Sequence, residues 1–161
     1  MLDLLWVGIA KSKLGLKEIP GKESAPEIVK MLLKLKAWWR DDSTPWCGVF
    51  AAYCLSEALL PYPKEYYRAL AWKEYGLKLD RPAYGCIVVF SREGGGHVGF
   101  VVGQDDRGRL MVLGGNQGDK VSVAPFDRNR VVAYRYPEKQ ELIDYSLPLL
   151  KTTAESSTRE A

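Results

Sequence analysis

The chain has 161 residues, of which 47% are hydrophobic, 27% charged and 11% aromatic, and these are ordinary proportions for one globular domain. They exclude collagen-like and intrinsically disordered chains, which need a glycine period or far fewer apolar residues. The formal net charge is only +3, and no dense basic block is present, so the sequence gives no indication of nucleic-acid binding.

The sequence also lacks the patterns of membrane insertion and of export. No run approaches the roughly 18 to 20 apolar residues that a membrane-spanning helix needs. The apolar N-terminus carries Asp3 where a secretory signal has Lys or Arg, and Lys11 interrupts it, so we interpret it as a helix face. The number of cysteines is three, an odd count that argues against a disulfide framework and favours synthesis in the cytoplasm.

The first half of the sequence has the periodicity of helices. A first helix is predicted before the breakers Ile19-Pro20-Gly21, and a second begins at Pro26. A third helix is predicted from Thr44-Pro45 to about Leu60, and a fourth helical segment runs from Lys64 to Tyr75 and closes at Gly76. The second helix carries its apolar residues at helical intervals, namely Ile28, Met31, Leu32, Leu35 and Trp39.

After Arg81-Pro82 the pattern changes to short runs that are typical of strands. Because these runs follow the helices as a block, they predict an antiparallel sheet and an α+β fold rather than alternating βαβ units. Asp105-Asp106-Arg107-Gly108 predicts a hairpin turn, and the segments 94–96 and 114–118 predict bent connections. The predicted strands are Cys86–Phe90, Val98–Val102, Leu110–Leu113, Val121–Val123 and Val131–Tyr136.

The domain organisation follows from where this pattern weakens. We expect a single catalytic domain over residues 1–137 and a C-terminal extension, partly disordered, over residues 138–161. The segment from Glu138 to Leu150 has a weak amphipathic pattern, which we interpret as a docking helix or a loose tail rather than a membrane-surface helix. The polar segment from Thr152 to Ala161 is expected to be frayed.

Cys47 is the first candidate for chemistry. With Thr44 as N-cap and Pro45 as the first helical residue, Cys47 is predicted at the third helical position. Unpaired N–H groups and the positive end of the helix dipole stabilise an anion there and lower the pKa of a thiol from its usual value of about 8.5. The alternative is a small buried apolar residue, which is the commonest role of a free cysteine.

His97 is the one histidine of the sequence, so it is the one imidazole that can take a proton from a thiol. Glycines precede it and a small-residue strand follows. A third group must fix the ring of such a base, and Asn116 lies where the next strand ends, within reach of the start of the neighbouring antiparallel strand. The alternative for Asn116 is a left-handed turn residue, which Asn-x-Gly sequences favour.

Four segments of the sequence are informative together: 14–21 (LGLKEIPG), 44–47 (TPWC), 96–100 (GHVGF) and 113–118 (LGGNQG). In this order they resemble the papain-like CHAP and NlpC/P60 group of peptidoglycan amidohydrolases, particularly its compact phage-endolysin-like branch. The resemblance spans about residues 5–136 and implies a Cys-bearing helix packed on an antiparallel sheet that carries the His. By matching positions it implies Cys47 as nucleophile, His97 as general base and Asn116 as the orienting residue.

The chain departs from the broader group at two places. Papain-like enzymes often have a Gln or Tyr upstream of the nucleophile to complete the oxyanion hole, and none precedes Cys47. The Cys47 backbone N–H is then the first donor, and the second is unassigned, with Asp42, Ser43 or a loop amide available. Relatives commonly have Gly-Asp where this chain has Gly85-Cys86, so Cys86 is expected to be structural.

The sequence offers three other candidate sites. A Cys3His zinc site is disfavoured because Cys47 and Cys54, seven residues apart on one helix, are separated by about 10 Å of rise. Glycosidic cleavage by paired carboxylates lacks a pair that spacing singles out. Most aromatic residues are expected in the core, with Trp46 retained as a substrate contact because it adjoins the nucleophile.

The sequence therefore predicts a Cys-His-Asn cysteine amidohydrolase that cleaves an amide bond of the peptidoglycan stem peptide or cross-link. Trp46, Asp42 and Gln117 are assigned to substrate binding, and neither a cofactor nor a metal is expected. The alternatives are a thiol acyltransferase and a catalytically silent wall-binding or phage structural module of the same fold.

The expected partner is bacterial peptidoglycan, without nucleic acid or stable membrane insertion, and the protein is expected to be a monomer. We expect synthesis in the host cytoplasm without a signal peptide and action on a thin Gram-negative wall in the periplasm, after release through a membrane lesion. A phage lysis enzyme is favoured, and a secreted antibacterial effector is the alternative.

Overall fold

The structure is a computed structural model, and it describes residues 3–17, 25–37, 46–152 and 154–157. Its architecture is α+β, as predicted: helices come first in the chain and pack on an antiparallel sheet. The helices are α1 (Leu5–Ser12), α2 (Pro26–Lys34) and α3 (Cys47–Glu57), with 3-10 turns at Ala69–Glu74 and Arg128–Arg130. The strands are β1 (Leu77–Leu79), β2 (Ile87–Arg92), β3 (Gly95–Gln104), β4 (Leu110–Gly114), β5 (Ser122–Phe126) and β6 (Val131–Tyr136).

Two of the helices follow from the apolar period and the third from burial on all sides. Pro26 is the first residue of α2, as predicted, and the helix buries Ile28, Met31 and Leu32 on one face. In α3 nearly every residue from Cys47 to Leu55 is buried, because the sheet covers one side of the helix and α1 and α2 cover the other. None of the helices in the described part of the chain is long and apolar enough to cross a bilayer.

The sheet has the strand order β1-β6-β2-β3-β4-β5, and every pairing is antiparallel. The five predicted strands are all present. The Gly94–Gly96 connection is shorter than predicted, because β3 already begins at Gly95, and β1 was not predicted. The Asp105–Gly108 turn forms as predicted, with Asp105 Oδ1 accepting hydrogen bonds from the N–H groups of Arg107 and Arg109.

The predicted fourth helix is reduced to the single 3-10 turn Ala69–Glu74. Its position is set by Trp72, whose indole N–H donates a hydrogen bond of 3.0 Å to the Tyr66 carbonyl. The same carbonyl lies against Gly48 of α3, where a Cβ would collide with it. This close approach brings the segment 66–70 beside the start of α3.

The C-terminal segment, interpreted from the sequence as a docking helix or a loose tail, docks on the sheet as extended chain without a helix in its described part. Gln104 exchanges backbone hydrogen bonds with Pro148 and Leu150, at 2.9 and 2.8 Å. Within the part of the tail that the structure describes, the Ser157 N–H donates to the Pro125 carbonyl of β5 at 2.7 Å. Residues 154–157 therefore lie against the edge strand, whereas the sequence predicted a frayed tail.

Candidate active site

Cys47 is the first residue of α3, with Trp46 as N-cap. The prediction placed it two residues deeper, but Thr44 and Pro45, which that prediction used as cap and first residue, lie outside the described residues. The chemical consequence of a position in the first turn is unchanged, because the first N–H groups of a helix have no intrahelical acceptor and carry the positive end of the dipole. The thiol therefore lies where a negative charge is stabilised.

The Cys47 thiol contacts the imidazole of His97, and its pKa is lowered from the ordinary value of 9.0. Burial acts to raise this pKa, but the charge of His97, a side-chain hydrogen bond to His97, and backbone hydrogen bonds from Val98 and Gly48 outweigh it. The side chain is only 4% exposed. A thiol with a depressed pKa is the form of cysteine that acts as a nucleophile.

His97 is fully buried near the start of β3, directly opposite Phe90 of β2. Its ring lies nearly parallel to two phenyl rings, at 5.4 Å and 5° from Phe126 and at 6.3 Å and 21° from Phe90. Gly96, immediately before it, leaves room for Leu70, whose Cδ2 would come within 2.7 Å of a Cβ there. Aromatic packing therefore fixes the plane of the imidazole.

The hydrogen bond that orients the His97 ring comes from Gln117. The Gln117 amide oxygen lies 2.9 Å from His97 Nε2, while the amide nitrogen donates to the carbonyls of Val112 and Ser122, at 3.1 and 2.8 Å. Because both of these partners are acceptors, the amide orientation is determined by the network, and it assigns the proton of the neutral ring to Nε2. His97 Nδ1 is then the nitrogen with a lone pair for the thiol proton.

The prediction that Asn116 orients the histidine is wrong, because the amide on the ring belongs to the next residue. Asn116 has a φ of +59°, so the alternative of a left-handed turn residue holds. The assignment of Gln117 to substrate binding is also corrected, since its amide is buried and bonded within the protein. The pair Gly114-Gly115 is the sequence feature that could have indicated this arrangement, because a Cβ at Gly114 would collide with the Gln117 amide oxygen.

The other two predicted substrate contacts are Trp46 and Asp42, of which the structure describes Trp46. Trp46 is only 1% exposed, and its ring packs against Gly115, where a Cβ would lie 2.9 Å from it. A side chain so enclosed belongs to the core, so the prediction of a substrate contact is wrong. Asp42 lies outside the described residues.

Comparison with known families agrees with this geometry. Residues 39–116 match the family model described as CHAP domain. This stretch is similar to a CHAP domain. The match includes Cys47 and His97 and ends one residue before Gln117, and it places the domain in a superfamily of cysteine- and histidine-dependent amidases and peptidases. No curated protein and no solved structure matches the chain.

A cleft of about 390 Å³ opens beside the Cys47 thiol. One wall is the segment before and within the 3-10 turn, and the other is the β2–β3 hairpin. The lining residues are Cys47, Tyr67, Arg68, Ala69, Leu70, Arg92, Gly94, Gly95 and Gly96. Cys47 therefore lines a surface cleft of a size that ligand sites commonly have.

The remaining two cysteines, Cys54 and Cys86, are buried and form no disulfide. Burial raises the pKa of Cys54 far above its ordinary value and that of Cys86 to about 12. Both are fully enclosed in the core, so neither is a nucleophile near neutral pH. This agrees with the structural roles predicted for them.

Proposed function

We propose that this protein hydrolyses an amide bond in the stem peptide or cross-link of bacterial peptidoglycan, with Cys47 as nucleophile. One observation supports this most strongly: a thiol of depressed pKa contacts an imidazole whose far nitrogen is held by a buried amide. Acyl transfer from an amide needs these three parts in this order.

The route of the Cys47 proton follows from which nitrogen of the neutral His97 ring carries a hydrogen. Gln117 holds the proton of the neutral ring on His97 Nε2, so Nδ1 accepts the Cys47 proton and the thiolate attacks the amide carbonyl. Nδ1 then returns that proton to the nitrogen of the leaving amine as the C–N bond breaks. Water, deprotonated by the same nitrogen, attacks the thioester and releases the acid and the free thiol.

The oxyanion of the tetrahedral intermediate would form at the start of α3. The backbone N–H of Cys47 belongs to the first turn of α3, where N–H groups point out of the helix end, and it is the first donor that we assign. The helix dipole adds a partial positive charge at the same point. Removal of one donor from such a hole typically costs about 10² to 10³ in turnover.

The experiment that tests the proposal is mass spectrometry of purified peptidoglycan after incubation with wild type, Cys47→Ala and Cys54→Ala. We expect new amino termini with wild type and with the Cys54 variant, which loses a buried thiol away from the cleft, and none with the Cys47 variant. The fragment masses identify the bond and separate a muramoyl-alanine amidase from an endopeptidase.

Other outcomes contradict the proposal in distinct ways. Products in which an added amine replaces water indicate a thiol acyltransferase. Binding to insoluble peptidoglycan without soluble products, in all three proteins, indicates a silent wall-binding module. Equal cleavage by Cys47→Ala and wild type removes Cys47 from the mechanism.

We also propose that the protein reaches the wall from the cytoplasm after a membrane lesion, as a phage lysis enzyme does. Expression in bacteria with and without an added export signal tests this. Lysis is expected with export, or when the membrane is permeabilised, and is expected to disappear with Cys47→Ala. Lysis at the same rate without export or permeabilisation would contradict the need for a lesion.

A further inference from the structure

The described residues that line the cleft beside Cys47 include two charged ones, and both are arginines. Arg92 is the last residue of β2, and Arg68 immediately precedes the 3-10 turn on the opposite wall. The other described lining residues are apolar, aromatic or glycine apart from the Cys47 thiol. The cleft therefore has a positive character close to the nucleophile.

Strand geometry places the Arg92 side chain on the same face of the sheet as His97. Phe90 is directly opposite His97 in the β2–β3 pairing, and residues directly opposite one another point to the same face. Arg92 follows Phe90 by two residues, so it shares that face and lies roughly 7 Å further along the strand. Its own cross-strand partner is Gly95, and nothing lies within 4 Å of where a Cβ of Gly95 would be.

Arg92 is held by a backbone carbonyl, and no described carboxylate pairs with it. Its Nε donates a hydrogen bond of 3.3 Å to the Gly96 carbonyl, which directs the side chain across the hairpin. Arg68 differs, because it forms an exposed ion pair of 2.9 Å with Glu65, and such exposed pairs exchange partners at little cost.

We propose that Arg92 binds a carboxylate of the substrate close to the scissile amide, with Arg68 as a second cation on the opposite wall. The guanidinium offers two terminal nitrogens in the fork that matches a carboxylate. At about 3.3 Å per residue of extended peptide, the separation along β2 corresponds to a carboxylate one or two residues from the cleaved bond. This inference rests on the proposed amide hydrolysis and specifies the substrate: a peptide with a free carboxylate beside the bond rather than its carboxamide.

The test compares a muropeptide with the same muropeptide after its free carboxylates have been converted to methylamides. Binding to the catalytically inactive Cys47→Ala protein is measured by calorimetry, and cleavage by wild type is measured in parallel. Each is repeated with Arg92→Gln, which keeps a polar side chain and removes the charge. Arg107→Gln, in the exposed β3–β4 turn away from the cleft, is the matched control.

We expect the methylamide form to bind at least about ten-fold more weakly than the carboxylate form, since a charge-assisted hydrogen bond is lost. Arg92→Gln should bind both forms equally weakly, and Arg107→Gln should behave as its parent. In cleavage, the loss should appear in kcat/KM for the carboxylate form alone.

Equal binding of the two forms, or a preference that survives Arg92→Gln, overturns the inference. The two proposals fail separately. Carboxylate-dependent binding through Arg92 without any cleavage would contradict hydrolysis and keep the anion site, whereas cleavage of both forms at equal rates would keep hydrolysis and remove the site. Failure of both muropeptides to bind or to be cleaved overturns both.

Discussion

The amide oxygen of Gln117 lies 2.9 Å from Nε2 of His97, and both side chains are buried. The Gln117 amide nitrogen is at the same time bonded to the Val112 and Ser122 carbonyls. The amide thus cannot rotate to present its N–H₂ group to the ring without breaking two hydrogen bonds. One tautomer of the imidazole is therefore maintained, with Nδ1 as the acceptor for the thiol proton.

Replacement of Gln117 by Ala should lower kcat/KM by about 10- to 100-fold, because the ring loses the group that fixes its tautomer and plane. Peptidoglycan cleavage rates measure this. The matched control is Asn116→Gly, which retains the positive φ of +59° at no steric cost and should stay within about threefold of wild type. A larger loss in the Asn116 variant than in the Gln117 variant would restore Asn116 as the orienting residue.

The wrong assignment of Asn116 as the residue that orients His97 has a geometric cause. Phe100 pairs with Leu113, so continuing the same antiparallel register toward the start of β3 places position 116 opposite His97. In the structure β4 ends at Gly114, and the left-handed Asn116 then turns the chain so that the next side chain reaches the ring. Periodicity along a strand does not report where a strand stops, and this limits what the sequence can predict about the site.

The pH dependence of Cys47 gives the second prediction. Its pKa lies below that of an ordinary cysteine because His97 and the backbone hydrogen bonds outweigh burial, so the thiolate fraction rises as the pH increases through that lowered value. Iodoacetamide alkylation should therefore have its midpoint below that of an exposed cysteine in a reference peptide and fall on acidification. In His97→Ala the charge and hydrogen bond of His97 no longer oppose the effect of burial on the Cys47 pKa, so the alkylation midpoint should move to higher pH. At a pH below the midpoint, the thiolate fraction should fall about tenfold for each unit by which the pKa rises.

Peptide mass spectrometry provides the internal control for this alkylation. Cys54 and Cys86, whose pKa values burial raises, should stay unmodified near neutral pH. An unchanged alkylation midpoint in His97→Ala would show that the imidazole does not lower the Cys47 pKa.

The third prediction concerns the space that Gly114 leaves for the Gln117 amide. A Cβ at this position would collide with the Gln117 amide oxygen and lie 3.3 Å from His97 Nε2. Gly114→Ala should therefore reduce kcat by at least about tenfold by displacing the amide, while far-UV circular dichroism stays native-like. Gly8→Ala, in α1 with nothing within 4 Å, is the control and should gain up to about 1 kcal/mol of stability with wild-type activity. Full activity in Gly114→Ala would mean that the amide can move without cost.

The larger elements of the fold follow from the sequence, and the smaller ones do not. The α2 period and the five β-rich runs agree with the structure because burial of one face, or of a whole strand, leaves a readable pattern. Strand β1 has only three residues, too few for any period. The segment before Gly76 has the composition of a helix, but the bond from the Trp72 indole to the Tyr66 carbonyl depends on tertiary contacts that local sequence does not encode.

The last prediction separates the roles of two aromatic residues near Cys47, namely Trp46 and Tyr67. Trp46 is 1% exposed and packs against Gly115, so Trp46→Ala should lower the free energy of unfolding by about 3–5 kcal/mol through loss of buried surface and cavity formation. Tyr67 is 38% exposed and lines the cleft, so Tyr67→Ala should change stability by less than about 1 kcal/mol and raise KM several-fold. Urea denaturation and steady-state kinetics on a soluble muropeptide measure the two effects.

Trp46→Phe is the variant that could contradict this assignment, because it keeps an aromatic core residue and should retain most of the stability. A large rise in KM in that folded variant, with the KM of Tyr67→Ala unchanged, would show that Trp46 contacts the substrate.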